Sequence, residues 1–189
     1  MKNIFDLELN TKVEQDSYIV SYPHILSYFN DLKIIESVDV VRGTHMIYGW
    51  MPTILDLKKT PNRSLDEVAK LLCMAKHNHL LIDSQIEYIA SVVNKSLVGA
   101  SKLLHFVAPN KYAIWDSKIY EFIHEKKAFH NRVNNVDLYI EYLEIIKQLE
   151  QEKEFKSFHG RVNKKIGYVV SSKRAVELIM FLNSPKSKN

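Results

Sequence analysis

The sequence is poor in cysteine, glycine and proline, and each shortage narrows the choice of fold. A single cysteine, Cys73, cannot form an internal disulfide and cannot supply a four-cysteine zinc or iron–sulfur site. Five glycines and five prolines in 189 residues leave few tight turns. Long amphipathic stretches fill much of the chain, so we predict an all-α fold, a compact bundle of about seven to nine helices.

Membrane and cofactor signals are also missing. No run of about 18 apolar residues occurs, and the N-terminal region has neither the basic start nor the apolar centre of a signal peptide. We therefore expect a cytoplasmic protein with no membrane partner. The sequence has no Gly-rich phosphate loop of either common kind, which predicts no nucleotide cofactor. His77 and His79 diverge on a helix and lack a third ligand at suitable spacing, so we expect no metal site.

Charge is nearly balanced but unevenly placed. The chain has 26 Lys and Arg against 22 Asp and Glu, a net charge of +4, and 46% apolar residues. The C-terminal part collects many of the cations: Lys153, Lys156, Arg161, Lys164, Lys165, Lys173, Arg174, Lys186 and Lys188. This crowding suits a phosphate backbone, and a solvated surface is the alternative. We expect one helical domain over residues 1–183, or two lobes that meet near residues 95–116, followed by a disordered basic tail over 184–189.

Local signals predict where the first helices start. Pro23 is expected in the first turn of a helix over residues 22–33, where its missing N–H has no cost. A second helix follows from a Ser37 cap, with a short strand as the alternative because of its β-branched start. Ser64 and Glu67 form a capping box in front of a third helix.

Later signals place the remaining helices. Asp116 is well placed as the N-cap of a helix that begins SKIYEF. The broad apolar stripe of residues 134–155 predicts the longest helix, and residues 156–167 read as a polar link. A last helix is expected from a Ser171 or Ser172 cap. Within it, Arg174 and Glu177 are three residues apart and are expected to pair with each other, a structural role.

The sequence SLVGASKLLHFVAPNKYAIWDS, residues 96–117, carries the strongest chemical signal. We expect Lys102 to begin one helix and Asp116 to cap the next, so that both lie at helix N-termini, which hold anions. The helix dipole, together with desolvation, would lower the pKa of Lys102, and a lysine nucleophile must lose its proton. Considered alone, the two residues would be a surface charge and a plain helix cap.

These residues also carry a family resemblance. SLVGASKLLHF followed by YAIWDSKIYEF resembles the hairpin of the helix-hairpin-helix DNA glycosylase superfamily, in which a Leu-Pro-Gly-Val-Gly-x-Lys turn precedes a helix and an aspartate caps the next. The sequence is most similar to the 8-oxoguanine DNA glycosylase-like branch of small bacterial proteins. HMIYGWMPTIL, residues 45–55, and SSKRAVELIMFL, residues 171–182, add to a similarity that spans about residues 38–182. Here Gly99 is the only glycine of the hairpin.

The resemblance implies a reaction and a partner. Duplex DNA would present a damaged nucleotide flipped into a pocket, Lys102 would attack its sugar C1′ and form a Schiff base that leads to strand cleavage, and Asp116 would be the electrostatic partner. Residue type and nearness to the motifs suggest four pocket residues: Tyr48, Trp50, His105 and Trp115. The expected DNA contacts are Gly99, Ser101, Arg161, Lys164 and Lys165. The alternative is a catalytically inactive nucleic-acid-binding or interaction protein on the same fold.

Overall fold

The chain forms helices that follow one another with short connections, as the scarcity of glycine and proline predicts. The computed structural model describes residues 3–9, 11–51, 53–57 and 64–185. These residues contain ten α-helices and no strand, which confirms the all-α prediction and exceeds the predicted seven to nine helices. The helices are α1 (Ser17–Asp31), α2 (Ser37–Trp50), α3 (Leu65–Lys76), α4 (Asp83–Val92), α5 (Leu97–Val107), α6 (Ser117–His124), α7 (His130–Val133), α8 (Val136–Leu149), α9 (Phe155–Ile166) and α10 (Ser172–Asn183).

Helix α1 starts earlier than its proline suggested. Asp16 is the N-cap, and its carboxylate accepts hydrogen bonds from the backbone N–H groups of Tyr18 (3.0 Å) and Ile19 (3.3 Å). Pro23 therefore lies inside the helix and not in its first turn. Proline has no N–H, so the Ile19 carbonyl lacks its usual helical donor. The Tyr168 hydroxyl donates to this carbonyl instead, at 2.6 Å, and this bond compensates for the helical one.

The predicted N-cap of α2 is wrong by one residue, and the capping box predicted for α3 is half right. Residues 37–50 are helical, so the strand alternative for this stretch is wrong, and Glu36 rather than Ser37 is the N-cap residue. Ser64 caps α3 as predicted, because its hydroxyl accepts from the Asp66 N–H at 3.1 Å. The second bond of the capping box goes elsewhere: the Ser64 N–H donates to the Tyr88 hydroxyl at 2.9 Å.

The helix predicted over residues 134–155 is shorter than expected and is not the longest, since α8 has 14 residues and α1 has 15. α8 ends at Leu149, and the segment predicted to be a polar link forms α9. α9 buries Phe158, Val162 and Ile166, which recur every four residues and make a narrow apolar stripe on an otherwise charged helix. It ends at Gly167, whose φ of 85° is the left-handed conformation that glycine adopts at helix C-termini.

Helix α5 lies at the centre of the packing and contacts α1, α2, α3 and α4. A second group of contacts joins α10 to α6 and α9. The buried apolar residues form one cluster that runs from Ile4 to Met180. In the parts of the chain that the structure describes, no helix has the length and apolar character needed to cross a membrane. Lys186 and Lys188 of the predicted tail lie outside the described residues.

Candidate active site around Lys102

Lys102 lies deeper in α5 than the sequence suggested. The helix begins at Leu97, and the Ser96 hydroxyl caps it by accepting from the Gly99 N–H at 3.2 Å. Lys102 is therefore in the second turn, so the prediction that it begins the helix, with help from the dipole, is wrong. Burial, and not the helix dipole, is what lowers the pKa of Lys102. Lys102 is only 8% exposed, and desolvation lowers its pKa against the attraction of the Asp116 and Glu177 carboxylates.

Asp116 occupies the predicted N-cap of α6. Its Oδ1 accepts a hydrogen bond from the Ile119 N–H at 3.1 Å. Among the described residues no hydrogen bond uses its second carboxylate oxygen. One oxygen thus fixes the side chain at the helix start, and the other is free to face a positive charge.

Lys102 and Asp116 line the same small cavity. The cavity has a volume of about 230 Å³ and lies between α5, α6 and α10. Arg174 and Glu177 from α10 line it as well, as do Asp16 and Lys118, so three carboxylates and three cationic side chains meet in one place. No hydrogen bond or ion pair of Lys102 occurs with any described residue. The amine is therefore enclosed beside opposite charges without being fixed to one of them.

Glu177, another carboxylate of the cavity, belongs to a buried ion pair. Arg174 Nη1 donates to Glu177 Oε2 within α10, and both side chains are 3% exposed. The Arg174 guanidinium lies 4.7 Å from the centre of the Tyr22 ring and 5.6 Å from that of Trp50. Burial raises the pKa of Glu177 to about 7, although the charge of Arg174 acts in the opposite direction. The pairing follows from the i,i+3 spacing, but no local signal placed this pair beside Lys102.

Three aromatic side chains also line the cavity. Of the four predicted pocket residues, Trp50 lines it, and its Nε1 donates to the Tyr18 carbonyl at 3.3 Å. The Tyr18 ring packs edge-on against Trp50, with ring centres 5.3 Å apart. Phe181 also lines the cavity, and Lys118 Nζ lies 4.0 Å from its ring centre. Tyr18 and Phe181 were not identified from the sequence, since both come from helices distant in the chain from Lys102.

His105 is a core residue and does not line the cavity. It is completely buried; its Nδ1 donates to the Tyr112 carbonyl at 2.7 Å, and its Nε2 accepts from the Tyr22 hydroxyl at 2.8 Å. Burial lowers the pKa of His105 to about 3, so the ring is neutral near pH 7. Both ring nitrogens are occupied, which makes His105 a link between α1 and α5.

Tyr48 and Trp115 are also in the core, contrary to their predicted pocket roles. Tyr48 is 2% exposed, and its hydroxyl fills the space next to the Gly99 backbone where a side chain would otherwise project. Trp115 has no exposed surface, and its Nε1 donates to the Val133 carbonyl at 2.9 Å. Large aromatic side chains provide much of the burial in such a core, and that packing demand governs both positions.

The predicted hairpin contacts to DNA are occupied by the protein itself. Ser101 is completely buried; its hydroxyl donates to the Val98 carbonyl at 2.9 Å and accepts from the Trp115 N–H at 3.1 Å. The Leu97 N–H donates to Asn134 Oδ1 at 2.9 Å. Gly99 is buried, and its N–H is held by the Ser96 cap. In this structure neither Ser101 nor Gly99 is available to a phosphate, because these groups stabilise the start of α5.

The three predicted basic contacts lie on α9, away from the Lys102 cavity. Arg161, Lys164 and Lys165 line a separate groove of about 540 Å³ together with residues 7–9 of the N-terminal segment. Arg161 Nη2 donates to the Phe5 carbonyl, so this cation holds the N-terminal segment in place. Lys164 and Lys165 are exposed.

Metal binding and known relatives give no further guide to the site. Within the described ranges, no group of three or more His, Cys, Asp and Glu side chains is arranged to hold a metal ion. No protein-family model, no curated protein and no solved structure matches this chain. A functional assignment therefore depends on the chemistry of the cavity and on the sequence resemblance described above.

Proposed function

We propose that this chain is a DNA glycosylase with AP-lyase activity, in which Lys102 forms a Schiff base with the sugar of a damaged nucleotide. One observation carries the proposal: the Lys102 amine is buried in a small cavity, without an ion-pair partner among the described residues, beside the Asp116 carboxylate. A lysine that serves only to stabilise a fold is normally exposed or paired. A lysine nucleophile needs an environment that favours its neutral form.

The cavity suits a flipped nucleotide better than a large ligand. Its volume of about 230 Å³ lies below the roughly 300–1,000 Å³ of most drug-sized pockets. Trp50, Tyr18 and Phe181 offer aromatic faces on which a base could stack. The neutral Lys102 amine would attack C1′, and the electron pair of the glycosidic bond would leave with the base, which takes up a proton. Opening of the sugar ring then leaves a protonated Schiff base on Nζ.

The carboxylates of Asp116 and Glu177 would have separate roles. Asp116, fixed by its bond to the Ile119 N–H, would face the positive charge that develops on the sugar and then on the Schiff base. Glu177, whose pKa burial raises to about 7, would accept a proton from the amine near neutral pH and return it later. Loss of a C2′ proton from the Schiff base would then break the C3′–O3′ bond and cleave the strand.

Strand cleavage at an abasic site tests this proposal. We expect the wild-type protein to cleave a duplex that carries one abasic site, and Lys102→Gln to be at least about 10³-fold slower, because removal of a nucleophile costs orders of magnitude in rate. Lys118→Gln is the matched control, since Lys118 lines the same cavity but is exposed. Cleavage by Lys102→Gln at the wild-type rate would contradict the proposal.

A binding module without chemistry is the second candidate. The observation that counts against glycosylase chemistry, and so favours it, is the start of α5, where Leu97, Gly99 and Ser101 make internal hydrogen bonds in place of an open hairpin. Any DNA binding would then come from exposed cations elsewhere on the surface. This candidate predicts DNA binding that is unchanged in Lys102→Gln, with neither base release nor strand cleavage by the wild-type protein. The cleavage assay and a binding assay on the same two proteins separate the candidates.

A further inference from the structure

Residues 125–135, which join α6 to α8, present an exposed aromatic ring among cations; we call this segment the Phe129 loop. Phe129 is 59% exposed, although a phenylalanine side chain usually lies in a core. Lys126, Lys127 and Arg132 are exposed on either side of it in the sequence. Lys127 Nζ lies 6.0 Å from the centre of the Phe129 ring. Exposed cations thus flank an exposed apolar ring in the sequence, and one of them, Lys127, lies near it in space.

No ion pair with a described residue neutralises the cations of the loop. The ion pairs between described residues are Lys70–Glu67, Lys147–Glu144, Lys173–Glu150 and Arg174–Glu177, and none includes the loop. Glu121 Oε1 accepts the Ala128 N–H at 3.0 Å, so this nearby carboxylate shapes the loop backbone. Glu125 is the only acidic residue of the loop. Three lysine and arginine charges against one glutamate leave a local positive excess.

The loop is fixed to the elements that carry the Lys102 cavity. Asn134 Oδ1 accepts from the Leu97 N–H, which ties the end of the loop to the start of α5. The Val133 carbonyl accepts from Trp115 Nε1 at 2.9 Å, one residue before Asp116. α6 has eight residues, so its two ends, at Asp116 and at the loop, are about 12 Å apart. This length corresponds to about three or four nucleotides of one strand.

We propose that the Phe129 loop binds the DNA strand next to the reacting nucleotide, with Phe129 stacked on an unpaired base and the three cations on phosphates. Bases provide flat faces and the backbone provides negative charge, and proteins that bind single strands combine aromatic rings with cations in this way. An acidic peptide would use the charges but not the exposed ring. The identity of the strand as substrate rests on the proposed function; the binding surface itself does not need the Lys102 chemistry.

Binding of a fluorescent single-stranded oligonucleotide, followed by anisotropy, tests the surface. The parent protein is Lys102→Gln, in which the proposed chemistry is absent. Phe129→Ala should weaken binding by about 5- to 150-fold, the effect of losing one stacked base. The double variant Lys126→Ala/Lys127→Ala should reduce the slope of log K against log salt by about 1.4, since each phosphate contact on a single strand contributes about 0.7.

Two controls match these variants. Val169→Ala removes another exposed apolar side chain, 81% exposed and outside the loop, and should bind as the parent does. Lys33→Ala/Lys70→Ala removes two exposed cations outside the loop, neither of them an expected DNA contact, and should leave the salt slope nearly unchanged.

Three results would overturn the inference: parent-like binding by Phe129→Ala, loss of salt dependence in the Lys33→Ala/Lys70→Ala control alone, or competition by polyglutamate as effective as that of DNA at equal charge. Loop-dependent binding together with a wild-type protein that cleaves no abasic site would support the surface and overturn only the proposed function.

Discussion

Arg174→Met lowers the free energy of unfolding by about 3–5 kcal/mol near pH 8, because it leaves a buried carboxylate without its partner. Glu177 is 2% exposed and receives its ion pair from Arg174. The penalty should shrink as the pH falls, since Glu177 can then take up a proton. Urea denaturation at pH 8 and pH 5.5 measures both the size of the loss and its pH dependence.

A double variant and an exposed pair complete this experiment. Arg174→Met/Glu177→Leu replaces both charges by apolar groups and should recover most of the lost stability, because buried ion pairs contribute little net stability over apolar packing. Lys147→Met breaks an exposed ion pair, in which the Lys147 side chain is 66% exposed and that of Glu144 57%. This substitution should lower the free energy of unfolding by less than about 1 kcal/mol. A loss below that value in Arg174→Met at pH 8 would show that Glu177 is not held by this pair.

The second large effect is a loss of stability in acid that originates at His105. Its pKa is about 3 in the folded protein, against 6.5 for the ordinary side chain, so the unfolded chain binds the proton first as the pH falls. The contribution of the neutral, buried His105 to the free energy of unfolding is complete above pH 6.5 and is lost progressively towards pH 3. One pKa unit corresponds to about 1.4 kcal/mol, so the contribution falls by about 3 kcal/mol between pH 6.5 and pH 4.5 and by about 5 kcal/mol in full.

Comparison with His105→Gln isolates this contribution. Glutamine can keep the hydrogen bonds to Tyr22 and Tyr112 but does not titrate. Glu177 has the opposite pH dependence, because its raised pKa makes stability fall as the pH rises from 4.5 to about 7, but it is present in both proteins and cancels in the difference. The stability advantage of the wild type should therefore decrease from pH 7.5 to pH 4.5, and an unchanged difference over that range would contradict the result.

Features that depend on neighbouring residues could be predicted from the sequence. Asp116 caps α6 because a carboxylate before a helix accepts the first N–H groups, a purely local interaction. The all-α class follows from apolar periodicity. α9 was missed because its stripe of Phe158, Val162 and Ile166 is narrow and lies among lysines, although the four-residue spacing was visible in the sequence. Pro23 was misplaced because the side chain that compensates for it, Tyr168, is remote in the sequence.

The composition of the cavity could not be predicted, because it depends on tertiary contacts. Arg174 and Glu177 line the Lys102 cavity from the last helix, and their i,i+3 spacing predicts only that they pair with each other. Residue type suggested that His105 and Trp115 line a pocket, but both side chains are buried in the core. A buried lysine differs from a surface lysine only once the packing around it is known. The sequence resemblance drew attention to Lys102, and burial gives that residue a physical reason to react.

Borohydride trapping is the sharpest test of Lys102 as the nucleophile, since it captures the Schiff base as a stable covalent bond. The protein is incubated with duplexes that carry 8-oxoguanine, uracil or an abasic site, then reduced, and the protein–DNA band is digested and mapped by mass spectrometry. Schiff-base chemistry at Lys102 predicts a wild-type band whose adduct lies on Lys102, no band from Lys102→Gln, and a retained band from Lys118→Gln. A band that persists in Lys102→Gln, or no wild-type band with any duplex while a control glycosylase gives one, would contradict it.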